Sequence, residues 1–487
     1  MRRLLAGAWI LLVLGGGLSC TVPTVDELSR ERARVCDAQR GCGTGYACVA
    51  GACEALGRCS EGETRACGLA EGECRRGQQG CAGGYWGDCV GAVEPVPEQC
   101  DGKDNDCNGR TDDWEAVNVS ASPGVTSRRG SAVPVGAGSA LVMYEEGGRV
   151  VSRRVAPDGS MSEAVSPSVT ADLATRSEGP ALAADGALVA AAWVEEIANA
   201  QRVMLATLDG NGRSNLSAGG TQGTAVNVAQ PLAFVGLDIA VDAAAETLLL
   251  AVVDAGQLSL WRYSTALPSP PLAQLKKLAG NVRSVKLLPA GGGAFWLTWL
   301  LSGGGGSRCL VDAAAVACAP EPAATVLAMG AAAPGEGYAY AVAPSDGGYA
   351  VYSSQCRRAQ AADAGQQDAG SAEDAGWMLG DGLSCAAPEP VNMPAGAVRI
   401  EELAVSGSAD RGHLLVQVRA PASRPRLEWG LLKPIPSRNA GGGELGPGVR
   451  PTSVFLDAQT GAVAYDSDES RLEEGTSEVW LQRLCVQ

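Results

Sequence analysis

Histidine is almost missing from this sequence: His413 is the only one in 487 residues. That removes the HExxH zinc site, which needs two histidines one helical turn apart. A Ser-His-Asp triad would have to use His413, and no GxSxG elbow stands near it. His413 lies in "DRGHLLVQV" and opens a predicted strand, so it reads as a structural or exposed side chain rather than a catalyst. No cysteine pair has CxxC spacing, which takes away zinc ribbons and thioredoxin-like redox centres. No GxxxxGK[ST] phosphate loop exists, and the "GCGTG" and "GGGG" runs read as turns because neither joins a strand to a helix. Clustered basic residues are lacking too. Arg far outnumbers Lys and the net charge is -16, which excludes a nucleic-acid face and suits cation binding. Most acids of the long C-terminal region sit in turns, as at Asp185-Gly186, Asp209-Gly210 and Asp346-Gly347, so no acid–base pair can be nominated. With no catalytic constellation, the chain reads as a non-enzyme.

What is present begins with "MRRLLAGAWILLVLGGGLSC". Arg2 and Arg3 precede an apolar run, Leu4 to Leu14, too short to remain as a membrane span. Gly17-Leu18-Ser19-Cys20 resembles a bacterial lipobox, with Gly17 where Leu is usual. The resemblance implies a signal peptide over 1–20 and a diacylglyceryl-modified Cys20 at the new N-terminus. Thr21 after the cysteine, by resemblance to lipoprotein sorting rules, points to the outer membrane, facing either the periplasm or the cell surface. The alternative is an ordinary secretory signal. No later segment reads as a span, so the lipid would be the membrane partner.

Cysteine usage agrees with export. Seventeen cysteines less Cys20 leave sixteen, an even number in an exported chain, which implies disulfides. Residues 21–35 read as a polar tether. Residues 36–58 form a small disulfide module with Cys36, Cys42, Cys48 and Cys53, for which an interleaved pairing is expected. Residues 59–115 hold seven more cysteines, an odd number, so one must pair elsewhere or stay free. Cys485 is the expected outside partner if Cys309 pairs with Cys318 and Cys356 with Cys385. So few large apolar residues in 36–115 would not hold a fold without such staples.

From residue 116 the texture changes to period-2 apolar runs broken by turns, as in "PALAADGALVAAAWVEE" followed by "QRVMLATLDGNG". Seven such units start near residues 128, 178, 234, 282, 324, 398 and 450. Repeats near 50 residues with about four short strands each predict a mainly β fold, a seven-bladed β-propeller over 116–487. Six or eight blades, or a pair of β-sandwiches, are the alternatives. Trp193, Trp261, Trp296, Trp429 and Trp480 recur on strands and suit the wide gaps between blades. Residues 359–376, "AQAADAGQQDAGSAEDAG", are low-complexity and acidic and predict a disordered insertion.

One stretch carries chemistry: Cys100 to Glu115, "CDGKDNDCNGRTDDWE". From Asp104 it fills a twelve-residue calcium loop in register. Asp104, Asp106 and Asn108 take positions 1, 3 and 5, with Gly109 at the sharp turn. The Arg110 carbonyl, Asp112 and Glu115 take positions 7, 9 and 12. Calcium wants six to eight oxygens, and alternate side chains of a tight loop converge on one centre. "EPVPEQ" before and "AVNVSASPG" after do not read as helices, so a structural site is expected rather than a sensor. "CDGKDNDCNGRTDD" also resembles the metal-binding motif of MopE-type bacterial surface proteins, and "CRRGQQGCAGGYWGDCVGAVEPVPEQ" resembles the spacer that leads into it. Asn108 and Asp113 stand where that motif has Asp and Glu. Copper, associated with that family, does not suit an all-oxygen loop. Cys100 and Cys107 are expected to bond to each other, and the loop to stiffen the join at Trp114–Glu115. The function expected is a non-enzymatic surface lipoprotein with a structural calcium site and a propeller that binds a protein or glycan. The alternative is a propeller hydrolase or lyase that cleaves polysaccharide with paired carboxylates.

Overall fold

The computed structural model describes residues 46–49, 52–55, 58–120, 124–167, 174–214, 224–226, 233–267, 269–322, 324–331, 336–345, 348–358, 378–380, 383–391, 399–408, 412–420, 425–432, 439–467 and 477–486. The signal, Cys20, the tether, Cys36, Cys42, Asp346 and the 359–376 insertion lie outside them. The chain divides into two compact units, 1–96 with 104–110, and 97–103 with 111–487. The first acidic positions of the loop thus belong to one unit, and Asp112 and Glu115 to the other. Among the described residues no helix is long and apolar enough to cross a membrane.

The first unit is small and stapled. Tyr46–Val49 and Ala52–Ala55 form a hairpin with Cys48 opposite Cys53, and Cys53 is disulfide-bonded. Thr64–Cys67, Gly77–Ala82 and Tyr85–Trp86 form a three-stranded sheet. Its buried side chains are chiefly sulfur: Cys74, Cys81 and Cys107, with Trp86 beneath the Arg65 guanidinium at 4.4 Å. Disulfides join Cys59 to Cys81, Cys67 to Cys89 and Cys74 to Cys107. Such loops each remove about 3 kcal/mol of chain entropy from the unfolded state, which replaces the apolar core this unit lacks.

Among the described residues the second unit is built from seven sheets, antiparallel except that Met378–Gly380 pairs in parallel with Ala315–Glu321 at the edge of the fourth. Their first strands begin at Ser127, Ala174, Phe234, Val282, Val326, Arg399 and Val449, close to the starts read from the sequence. Tight two-residue turns close many hairpins. Ala255 and Gly256, with φ of 48° and 76°, join Thr247–Asp254 to Gln257–Ser264, the backbone that matches strand twist.

Alternation along each strand feeds both sheet faces into apolar cores. In Thr247–Asp254 of the third sheet, Leu248, Leu250 and Val252 join a cluster with the second sheet. Leu249, Ala251 and Val253 join one with the fourth. The same division recurs. Successive clusters link sheets one and two, four and five, five and six, and six and seven. A further cluster joins the seventh sheet to the first through Val142, Tyr144, Ala462 and Leu481. Trp193, Trp261 and Trp296 are fully buried between sheets, and Trp429 and Trp480 pack against the cluster of sheets six and seven.

The seventh sheet uses both ends of this unit. Val479–Cys485 pairs with Val117–Asn118, and Cys485 is disulfide-bonded to Cys100. The expected Cys100–Cys107 bond is therefore not formed. The cause is local: Glu73 N–H donates to the Asp104 carbonyl, which sets Cys107 beside Cys74 at a Cα separation of 6.0 Å. Cys309–Cys318 and Cys356–Cys385 are cross-strand bonds between residues that face each other in register.

Candidate functional site

Two places gather polar side chains: the acidic loop and a cavity among the first strands of the seven sheets. The loop is shaped by its own acids. Asp104 accepts N–H groups from Asn108 and Gly109 at 3.1 and 3.0 Å. Asp106 accepts the backbone and side-chain N–H of Asn108, and Asn108 accepts the N–H of Arg110. Such local bonds let Cys107 and Gly109 turn at positive φ, 64° and 87°. Gly72 lies against Asp104 so closely that a Cβ there would meet it at 2.4 Å. Any side chain at 72 would displace Asp104.

Asp104 and Asp106, both of the first unit, can each present a carboxylate oxygen within 4.8 Å of the other. This acidic cluster is capable of holding a metal ion, and its all-oxygen donors match a hard cation. Asp112 is engaged elsewhere, accepting the N–H groups of Asp101 and Gly102 at 3.1 and 3.0 Å. Glu115 is exposed.

The cavity has a volume of 440 Å³ and draws its lining from all seven sheets. Its charged side chains are Arg129, Asp238, Arg283, Lys286, Glu401, Glu402 and Arg450. Bulges deliver several of them. The first strands of sheets one, two, three, four, six and seven all slip register near this end. A bulge frees backbone N–H groups that must find acceptors. Buried carboxylates on neighbouring sheets supply them. Asp466 of the seventh sheet accepts from Arg129 and Gly130 of the first at 2.7 and 3.1 Å. Glu145 of the first accepts from Gly179 of the second at 2.6 Å. Asp238 of the third accepts from Leu287 of the fourth at 2.8 Å, where that edge strand runs in regular register rather than at a bulge. Asp185 and Asp242 do the same for Ala243 and Gly293, so these acids lash neighbouring sheets as well as shaping turns.

Burial pushes the carboxyls of Asp238, Glu402 and Asp466 above their usual range, against the opposing pull of Lys286 on Asp238 and of Arg450 on the other two. Burial acts the same way on Glu145. There the Gly179 N–H with Arg128 and Arg129 outweighs it, and the carboxyl is held low. A second cavity of 250 Å³ shares Ser131, Asp238, Lys286 and Thr452 with the first.

His413 belongs to neither place. It is buried, with Nδ1 2.5 Å from the Tyr340 hydroxyl and the rings of Tyr338 and Tyr340 edge-on to it. Gly330 makes room for it, since a Cβ there would meet the imidazole at 2.8 Å. It joins sheets five and six and has a packing role.

No model of a protein family and no curated protein matches the chain. Among solved structures, a Hadza microbial sialidase aligns over 74% of this chain and 66% of its own length, at 11% identity and TM-score 0.40. The match thus spans about two thirds of that enzyme. Hydrazine synthase of Kuenenia stuttgartiensis aligns over 72% and 94%, at 10% identity and TM-score 0.45. AofleA of Arthrobotrys oligospora aligns over 73% and 95%, at 8% identity and TM-score 0.39. These scores are low, so the functional reading is built on the chain's own residues.

Proposed function

We propose that the chain is a non-enzymatic, exported lipoprotein of the outer membrane whose seven sheets are the blades of a closed β-propeller. The central channel opens at the 440 Å³ cavity, and that mouth binds a protein or glycan. One observation supports the closure most: each apolar core is shared by two successive sheets, and one core is shared by the seventh and the first. The mouth suits a ligand because its size lies within the usual range of binding cavities, and its rim offers donors and acceptors together. The acidic loop of the cysteine-rich segment is a calcium site of structural purpose, related to the MopE-type motif. Cys20 carries the lipid.

Binding of the mature chain to peptide and glycan arrays tests the mouth. Lys286→Ala with Glu401→Ala should abolish the captured signal without lowering the melting temperature. Unchanged binding would place the partner elsewhere. Cys20→Ser should release the protein from membranes, and Asp104→Ala should abolish saturable calcium binding by calorimetry.

A second reading has its own observation. Asp238 and Glu402 line one cavity with carboxyls held above their usual range, as paired-carboxylate cleavage of a polysaccharide would require of its acid. Both carboxylates already accept backbone N–H groups, Asp238 from Leu287 and Glu402 from Arg450, which explains them without catalysis. Polysaccharide cleavage lost in Asp238→Asn or Glu402→Gln would favour the enzyme.

A further inference from the structure

Among the described residues that line the cavity, Lys286 is the cation whose ammonium is left unused. It lies on the first strand of the fourth sheet, Val282–Gly291, with its side chain exposed to the cavities and bordering both of them. Its charge acts on Asp238 and Glu402, yet its ammonium forms no hydrogen bond or ion pair with any described residue. The other cations of the rim are spent. Arg129 pairs with Glu145 and Arg450 with Asp466, while Arg283 donates to the Thr325 carbonyl. Asp238 and Glu402 are spent as well, as caps on backbone N–H groups.

We infer that Lys286 is the anchor of a carboxylate-binding site, and that the ligand is the C-terminal end of a peptide. The inference rests on the propeller reading and gives its mouth a ligand class. A monoanion fits better than a phosphate dianion, because Asp238, Glu401 and Glu402 line the same wall. Next to the charged groups stand Pro180, Leu237 and Val235, and Val235 is 43% exposed. An apolar terminal side chain covers that surface while its carboxylate meets Lys286. Glu401, exposed at the rim, is an acceptor for the peptide N–H. A carboxylate on a lysine is a charge-assisted bond, and its loss costs roughly tenfold to a hundredfold in affinity.

Calorimetry with the mature full-length protein tests this, using N-acetyl-Val-Val and its C-terminal amide as probes. The acid should bind saturably and the amide roughly tenfold to a hundredfold more weakly. Lys286→Met should bring the acid down to the level of the amide with an unchanged melting temperature, and Lys286→Arg should restore most of the binding. Acid and amide binding alike, or Lys286→Met binding normally, overturns the anchor. Glucuronate binding while both peptides stay inert overturns the peptide class. No binding, with hydrogen exchange showing the join of sheets seven and one protected, overturns the site and leaves the propeller standing. Free exchange at that join overturns the propeller and the site with it.

Discussion

The cysteine-rich unit and the seven-sheet unit solve the same problem by opposite means. In the first, the buried groups are chiefly half-cystines and one tryptophan, and disulfides among the described residues span 22, 22 and 33 positions. In the second, every sheet gives one face to each of two apolar clusters, and buried carboxylates tie one sheet to the next. The first is stable because its unfolded chain is constrained, the second because its folded chain is packed. Chemistry that breaks one should spare the other.

Reduction is the largest test. A strong thiol reductant should abolish order in the first unit, whose staples each contribute about 3 kcal/mol. The β-sheet circular dichroism of the second unit should persist. Loss of both signals together would erase the distinction. Next comes the opposite lesion. Trp296→Ala empties the core between sheets four and five and should cost about 3–5 kcal/mol, read as a lower denaturant midpoint. The calcium binding proposed for the loop should be unaffected.

Smaller again is the carboxylate lashing. Asp466→Ala strips the acceptor from the N–H groups of Arg129 and Gly130 and leaves Arg450 without its ion pair. A loss of about 3 kcal/mol is expected. The pH dependence gives the sign. The Asp466 carboxyl is raised in the folded state, so its contribution is complete below the ordinary value of 3.8 and is lost as pH rises through the folded value. Glu145 is lowered, so its contribution is complete above 4.5 and is lost as pH falls through the folded value. Urea midpoints across acid pH should therefore flatten on the rising side in Asp466→Asn and on the falling side in Glu145→Gln. The smallest effect is local. Gly72→Ala meets Asp104 and imposes a side chain at φ +57°, so it should weaken metal binding by the loop while hardly moving the melting of the sheets.

Period-2 alternation and glycine-bearing turns made the seven sheets legible, because both are local and a sheet buried on both sides repeats them. The pairing of Cys107 was not legible. It depends on the Glu73 bond to the Asp104 carbonyl, a contact between residues 31 positions apart that no spacing rule encodes. The inter-sheet acids were hidden for a similar reason. Asp185 stands before a glycine and reads as a turn residue, yet it also accepts the N–H of Ala243 on the next sheet. The bulges that set Arg129 and Glu402 on the cavity wall leave no mark in the hydrophobic pattern beyond a one-residue slip.

The central claim is that the seventh sheet closes onto the first. Native-state hydrogen exchange of peptides covering Ser127–Pro134 and Val479–Cys485 tests it most directly. Closure predicts that both strands are protected, open together, and lose protection equally in Asp466→Ala while the third and fourth sheets keep theirs. Rapid exchange along Ser127–Pro134, as for an uncovered edge, would contradict it.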